Sequence, residues 1–220
     1  MKYTTVVIFV FFVLGCNNSQ TDWNSEVPNV KTDTVYVHDT IIKLSNQRFW
    51  QENFELTHDP DKDSIWLKPV SYYLADEKCS GLALAFYYGR LEPLDDEVTD
   101  KLLELAITDN SKLRPFYRWC LDQTIMIQDG ALAEHTGIPA RKYAEKYPKE
   151  FFEYMDSDKS GLRYRSWVGS IEYSGFYDMD HFDKPDELQS SLIKVMKSNC
   201  RECDEKIISR INDFAKACFN

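Results

Sequence analysis

The chain is 220 residues long, room for one ordinary domain, and sets 26 basic against 36 acidic residues for a formal charge of −10. An acidic chain without Lys/Arg blocks argues against nucleic acid and against a polybasic membrane-surface patch. The 13 Phe, 13 Tyr and 5 Trp serve a core and a binding surface equally well, so composition leaves the activity open.

Met1-Lys2 is followed by an uncharged apolar run, Tyr3 to Leu14, too short to span a bilayer as a mature helix and patterned like a secretory leader. The run ends in Val13-Leu14-Gly15-Cys16, which resembles the lipobox of bacterial lipoprotein precursors. The resemblance covers the leader only, with Val13 where Leu is usual and Leu14 where a small residue is usual. It implies a signal peptide over 1–15, cleavage before Cys16, and a diacylglycerol with palmitate at Cys16. The location implied is the bacterial cell envelope, the outer membrane ahead of the inner. Several acyl chains on one residue anchor stably where one chain does so marginally. Loss of Lys2 leaves 25 basic and 36 acidic residues, a charge of −11. Cys79, Cys120, Cys200, Cys203 and Cys218 remain, allowing at most two disulfides in an exported chain.

Residues 16–46 read as a polar tether. Within it Thr32-Asp33-Thr34-Val35-Tyr36-Val37 and Thr40-Ile41-Ile42 favour extended chain and one short strand, with His38 a solvated residue. The stretch loosely resembles the stalks that follow the lipid cysteine in bacterial lipoproteins. From residue 47 to 220 the pattern is all-α. Gln47 to Leu56 predicts a first helix, closed by Thr57-His58-Asp59-Pro60, where His58 beside two aspartates is explained by turn chemistry. Cys79 to Tyr88 predicts another, ended by Gly89.

The run from Asp95 to Met155 is the centre of the pattern. Val98, Leu102, Leu105 and Ala106 repeat at helical spacing behind Asp95-Asp96-Glu97, which suit a helix N-terminus. Pro115 opens the next helix, with Phe116, Trp119, Cys120, Met126 and Ile127 on one broad face. Gly137-Ile138-Pro139 and Pro148 are expected to split the remainder of the run into short helical pieces. Leu67–Asp76 aligns weakly with Leu113–Asp122 at an offset of 46 residues, within the range of HEAT-like repeats. The domain is therefore loosely similar to HEAT-like repeats: stacked helical hairpins, as an irregular solenoid or as a helical bundle.

Asp156-x-Asp158-x-Ser160-Gly161 matches the first half of an EF-hand loop, making Asp156, Asp158 and Ser160 weak metal candidates. The bidentate Glu due at position 12 is Trp167, and Arg163 and Arg165 bring positive charge, so the expected reading is a polar turn and no cofactor. Arg163, Tyr164, Trp167 and Tyr173 form a possible ligand surface if they are mutually exposed. His181 lies in an acidic loop without an identifiable second ligand. Leu188, Leu192, Val195 and Met196, then Ile207, Ile211, Phe214 and Cys218, predict an antiparallel helical pair. Cys200-x-x-Cys203 in its turn reads as a structural disulfide or inert thiols.

No Gly-x-Ser-x-Gly, His-Glu-x-x-His or phosphate loop is legible, and Glu134-His135 are helix neighbours that point apart. The expected function is therefore a lipid-anchored all-α module binding a protein or polymer in the envelope, with an acidic inhibitor of a basic target as a special case. The alternatives are an envelope carbohydrate- or calcium-binding module and a carboxylate-based envelope hydrolase.

Overall fold

The computed structural model describes residues 33–37, 40–44, 61–180, 183–201 and 203–219. The expectations for Cys16, for His38, for a helix over Gln47–Leu56, for the His58 turn and for His181 lie outside the described residues.

In place of one strand in the tether there are two, β1 (Asp33–Val37) and β2 (Thr40–Leu44), paired antiparallel with Val35 opposite Ile42. A second, tighter hairpin comes next, β3 (Ser64–Ile65) with β4 (Lys68–Pro69). The rest is helical: α1 (Ser71–Leu74), α2 (Gly81–Tyr87), α3 (Glu97–Glu104), a 3₁₀ turn over Leu105–Ile107, α4 (Arg114–Ile127), α5 (Ala133–Lys146), α6 (Pro148–Ser157), α7 (Leu162–Ser174), α8 (Pro185–Asn199) and α9 (Glu205–Ala217). The domain is all-α.

Local chemistry sets most of these boundaries. The Ser80 hydroxyl accepts from Leu82 N at the start of α2, and Gly89, at φ 64°, lies just past its end. Asp96 accepts from Val98 N at 3.0 Å and Thr99 N at 2.8 Å to open α3. Asp204 accepts from Ile207 N at 2.9 Å to open α9. Pro115, Pro148 and Pro185 sit in first turns, where no amide partner is needed.

The expected break at Gly137-Ile138-Pro139 is corrected: α5 runs through all three residues. An internal proline removes one backbone hydrogen bond and costs about 3 kcal/mol. Tertiary packing offsets it, because Gly137, Pro139, Ala140 and Ala144 are buried and α5 lies closely along α7. The broad apolar face expected of α4 is also corrected. Phe116 and Cys120 are buried, but Met126 is exposed, while Arg114, Arg118, Asp122 and Thr124 are buried. α4 is enclosed almost all round, so burial along it follows no single stripe. Its Phe116, Tyr117 and Cys120 join one core with Val70, Tyr73, Phe86 and Leu102. Its Leu121 and Ile125 join the other, with Phe151, Phe152, Trp167, Met196 and Phe214.

The two halves of the weak repeat do not share a structure. Leu67–Asp76 holds β4 and the single turn α1, whereas Leu113–Asp122 is the first part of α4. α5 contacts α4, α7 and α8, so the helices form a bundle with non-sequential neighbours. The C-terminal pair follows its sequence pattern, with Leu188, Leu192, Met196, Ile211, Phe214 and Cys218 all buried and α8 against α9.

Two glycines separate packing from helix propensity. A Cβ on Gly137 would stand 2.5 Å from both Gly175 N and Ser170 O, whereas one on Gly169 would meet nothing within 4 Å. Gly169→Ala is expected to stabilise by about 0.5–1 kcal/mol. Gly137→Ala is expected to destabilise by about 1–3 kcal/mol, since overpacking outweighs the same propensity gain. Urea denaturation of both variants checks the opposite signs.

Candidate functional site

The polar interior is built on one turn of α4. Arg118 and Asp122 are four residues apart and 1% and 2% exposed. The Asp122 carboxylate accepts from Tyr154 Oη at 2.7 Å, Trp167 Nε1 at 2.7 Å and Arg163 Nε at 3.2 Å. α4, α6 and α7 are thus tied through one acid. Burial, ahead of the neighbouring Asp122 charge, pushes the Tyr154 hydroxyl far above its ordinary range, so it stays a donor.

The Arg118 guanidinium lies 3.8 Å from the centre of the Tyr154 ring and 4.6 Å from that of Trp66. Its Nη1 donates to Tyr143 Oη at 2.9 Å, and Tyr143 in turn reaches Glu150 at 3.4 Å. Its Nε and Nη2 are buried without a hydrogen-bond partner among the described residues. One helical turn earlier, Arg114 spends those same two nitrogens on both oxygens of Glu150. Trp66 reaches Arg118 from the two-residue loop of the β3–β4 hairpin. Trp66 and Leu67 have φ of 50° and 64°, a left-handed pair that such loops normally give to Asn and Gly. The conformation costs roughly 1–2 kcal/mol per residue. Stacking on Arg118, the edge contact with Tyr154 and the bond from Tyr73 Oη to Ile65 O hold it in place.

A second polar cluster lies at the α3–α5 surface. His135 Nδ1 meets Asp100 and Nε2 meets Asp95, both at 2.7 Å. Each nitrogen faces a carboxylate, an arrangement suited to the doubly protonated ring. Burial works against that charge, but the ring's hydrogen bonds to the Asp100 and Asp95 carboxylates outweigh it and raise the imidazole above its ordinary range. Glu104, Glu134, Lys142 and Asp178 line the adjoining cleft of 230 Å³. That volume falls below the roughly 300–1,000 Å³ of ligand pockets. With both nitrogens engaged, His135 is arranged as a cross-link between helices.

The residues marked in the sequence fall in different places. Asp158 is an internal cap, accepting from Ser160 N and Arg163 N at 2.9 Å each, and these bonds hold its carboxyl down at about 2. Both oxygens of Asp156 pair with Arg210, at 2.7 and 2.8 Å, so the two aspartates are spent on separate partners. The proposed ligand surface is corrected. Trp167 is fully buried, Arg163 turns inward with it to Asp122, and Tyr164 packs on Phe214. Only Tyr173 of the four is exposed, beside Tyr177. Cys200 and Cys203 form a disulfide in the α8–α9 turn, while Cys79, Cys120 and Cys218 are free. Sequence reasoning missed Arg118, Asp122 and the His135 pair with Asp95 and Asp100. A base and an acid at i and i+4 on an otherwise aromatic helix were the available signal for the first two.

Compared with protein-family models, curated proteins and solved structures, the chain matches none.

Asp122→Ala leaves Arg163 unpaired and two ring donors without an acceptor. It is expected to cost about 3–5 kcal/mol in urea denaturation, with a shift in tryptophan emission from Trp167. His135 carries a pH signature of defined sign. Its folded-state value lies above the unfolded 6.5, so its contribution is complete below that pH and is lost as pH rises through the raised value. The melting temperature of the wild type is expected to fall over that window, and His135→Gln to flatten the fall.

Proposed function

We propose that the chain is a lipid-anchored envelope protein whose all-α domain binds a protein or polymer partner through an acidic face. The observation that carries this reading is the leader, an uncharged apolar run ending in Gly15-Cys16. Among the described residues no helix is long and apolar enough to cross a membrane; on this proposal the acyl chains on Cys16 are the anchor. Asp122 is shared by three donors and His135 is held between two acids, as in a scaffold. Glu104 and Glu134 stand exposed on the rim of the His135 cleft, beside the exposed Asp95 and Asp100. A net charge of −10 with this rim suits a partner of basic surface, the inhibitor-like case.

Two measurements test the proposal. Cys16→Ser should abolish incorporation of radioactive palmitate and release the protein from the membrane fraction; continued labelling and retention would refute the anchor. Crosslinking of the tethered protein in its own envelope should capture a partner whose yield falls with salt and with the double change E104K/E134K. A yield that ignores both would refute the acidic face.

A further inference from the structure

Three guanidinium groups, Arg114, Arg118 and Arg163, lie on α4 or against its Asp122, and among the described residues only two of them are matched by a carboxylate. Arg114 holds Glu150 through Nε and Nη2, and Arg163 holds Asp122. Arg118 has the Tyr143 hydroxyl and the rings of Trp66, Tyr143 and Tyr154, while Nε and Nη2 are buried with no hydrogen-bond partner among the described residues. Those two nitrogens carry the parallel N–H pair that meets both oxygens of a carboxylate, as Arg114 demonstrates within the same helix. Across Arg114, Arg118 and Arg163 against Glu150 and Asp122, one positive charge is left over. A buried donor pair and a surplus charge are each costly, and one planar monoanion answers both.

We propose that Arg118 is a binding site for a carboxylate, free or at the C-terminal end of a peptide, and that Trp66 is its gate. The ligand carboxylate takes the Nε–Nη2 edge of Arg118 as Glu150 takes that of Arg114. A phosphate dianion fits less well, because it brings a second charge that nothing there offsets. The gate has a physical basis independent of the charge. Trp66 is 37% exposed over a group that is 1% exposed, and it sits on a loop whose two non-glycine residues are both left-handed. Strain of this kind gathers at sites that open and close. Swinging Trp66 outward gives up its stacking on Arg118 and its edge contact with Tyr154, and opens one face of the guanidinium.

The full chain in detergent is titrated with sodium acetate and with sodium chloride at matched ionic strength, followed by tryptophan emission and by calorimetry. N-acetylglycine and its amide form a second pair. Acetate, N-acetylglycine or both should give a saturable emission change and heat, with chloride and the amide giving none. A response to acetate alone assigns a free small acid, and one to N-acetylglycine alone assigns a chain terminus. Arg118→Lys keeps the charge and removes the fork, and should weaken binding at least tenfold. Trp66→Ala, a change in a surface loop, should keep the heat of binding and lose most of the emission change, so it holds the test open if Arg118→Lys does not fold. No carboxylate response in either the wild type or Trp66→Ala would overturn the site and leave the edge to bound water. So would a response that Arg118→Lys leaves intact.

Discussion

A charged side chain inside a helical bundle has to be met by oriented partners, and α4 carries three such residues, Arg114, Arg118 and Asp122, spaced a turn apart. Asp122 meets this demand by recruiting donors from α6 and α7, which fixes how those helices stand against α4. The apolar residues around it then pack into a frame already set, with Leu121 and Ile125 on one side and Phe116 and Cys120 on the other. Net stability from such an acid is modest, because desolvation opposes it. Its larger effect is on arrangement, since wrong packings strand the charge.

The amphipathic elements were legible because each buries one face. α9 shows Ile207, Ile211, Phe214 and Cys218 at helical spacing, and the bundle covers that stripe. α4 was legible as a helix but not in its facing, since an element enclosed by two cores has no polar side to mark its orientation. Pro139 misled for a related reason. A proline's local cost is readable in sequence, whereas the close packing of α5 on α7 that offsets it is not.

The candidate site was less legible than the fold. Trp167 looked available for a ligand because an aromatic beside arginines reads the same whether the group faces water or a buried acid. The acid was Asp122, 45 residues away in sequence. His135 reads in sequence beside Glu134, while its partners in space come from residues 95 and 100, before and on α3. Pairings at such separations follow from the tertiary fold. Only the i, i+4 spacing of Arg118 and Asp122 could have drawn attention beforehand.

Redox chemistry meets the cysteines unequally. The single disulfide among the described residues joins Cys200 to Cys203, so closing it asks nothing of the distant chain and removes little freedom from the unfolded state. Burial meanwhile pushes Cys120 and Cys218 far above the ordinary thiol range, and Cys79 up to about 11. Oxidants and exchange partners react with thiolate, which the folded protein scarcely offers. Folding thus acts as redox protection for the three free thiols among the described residues. A chain caught half-folded would expose all three.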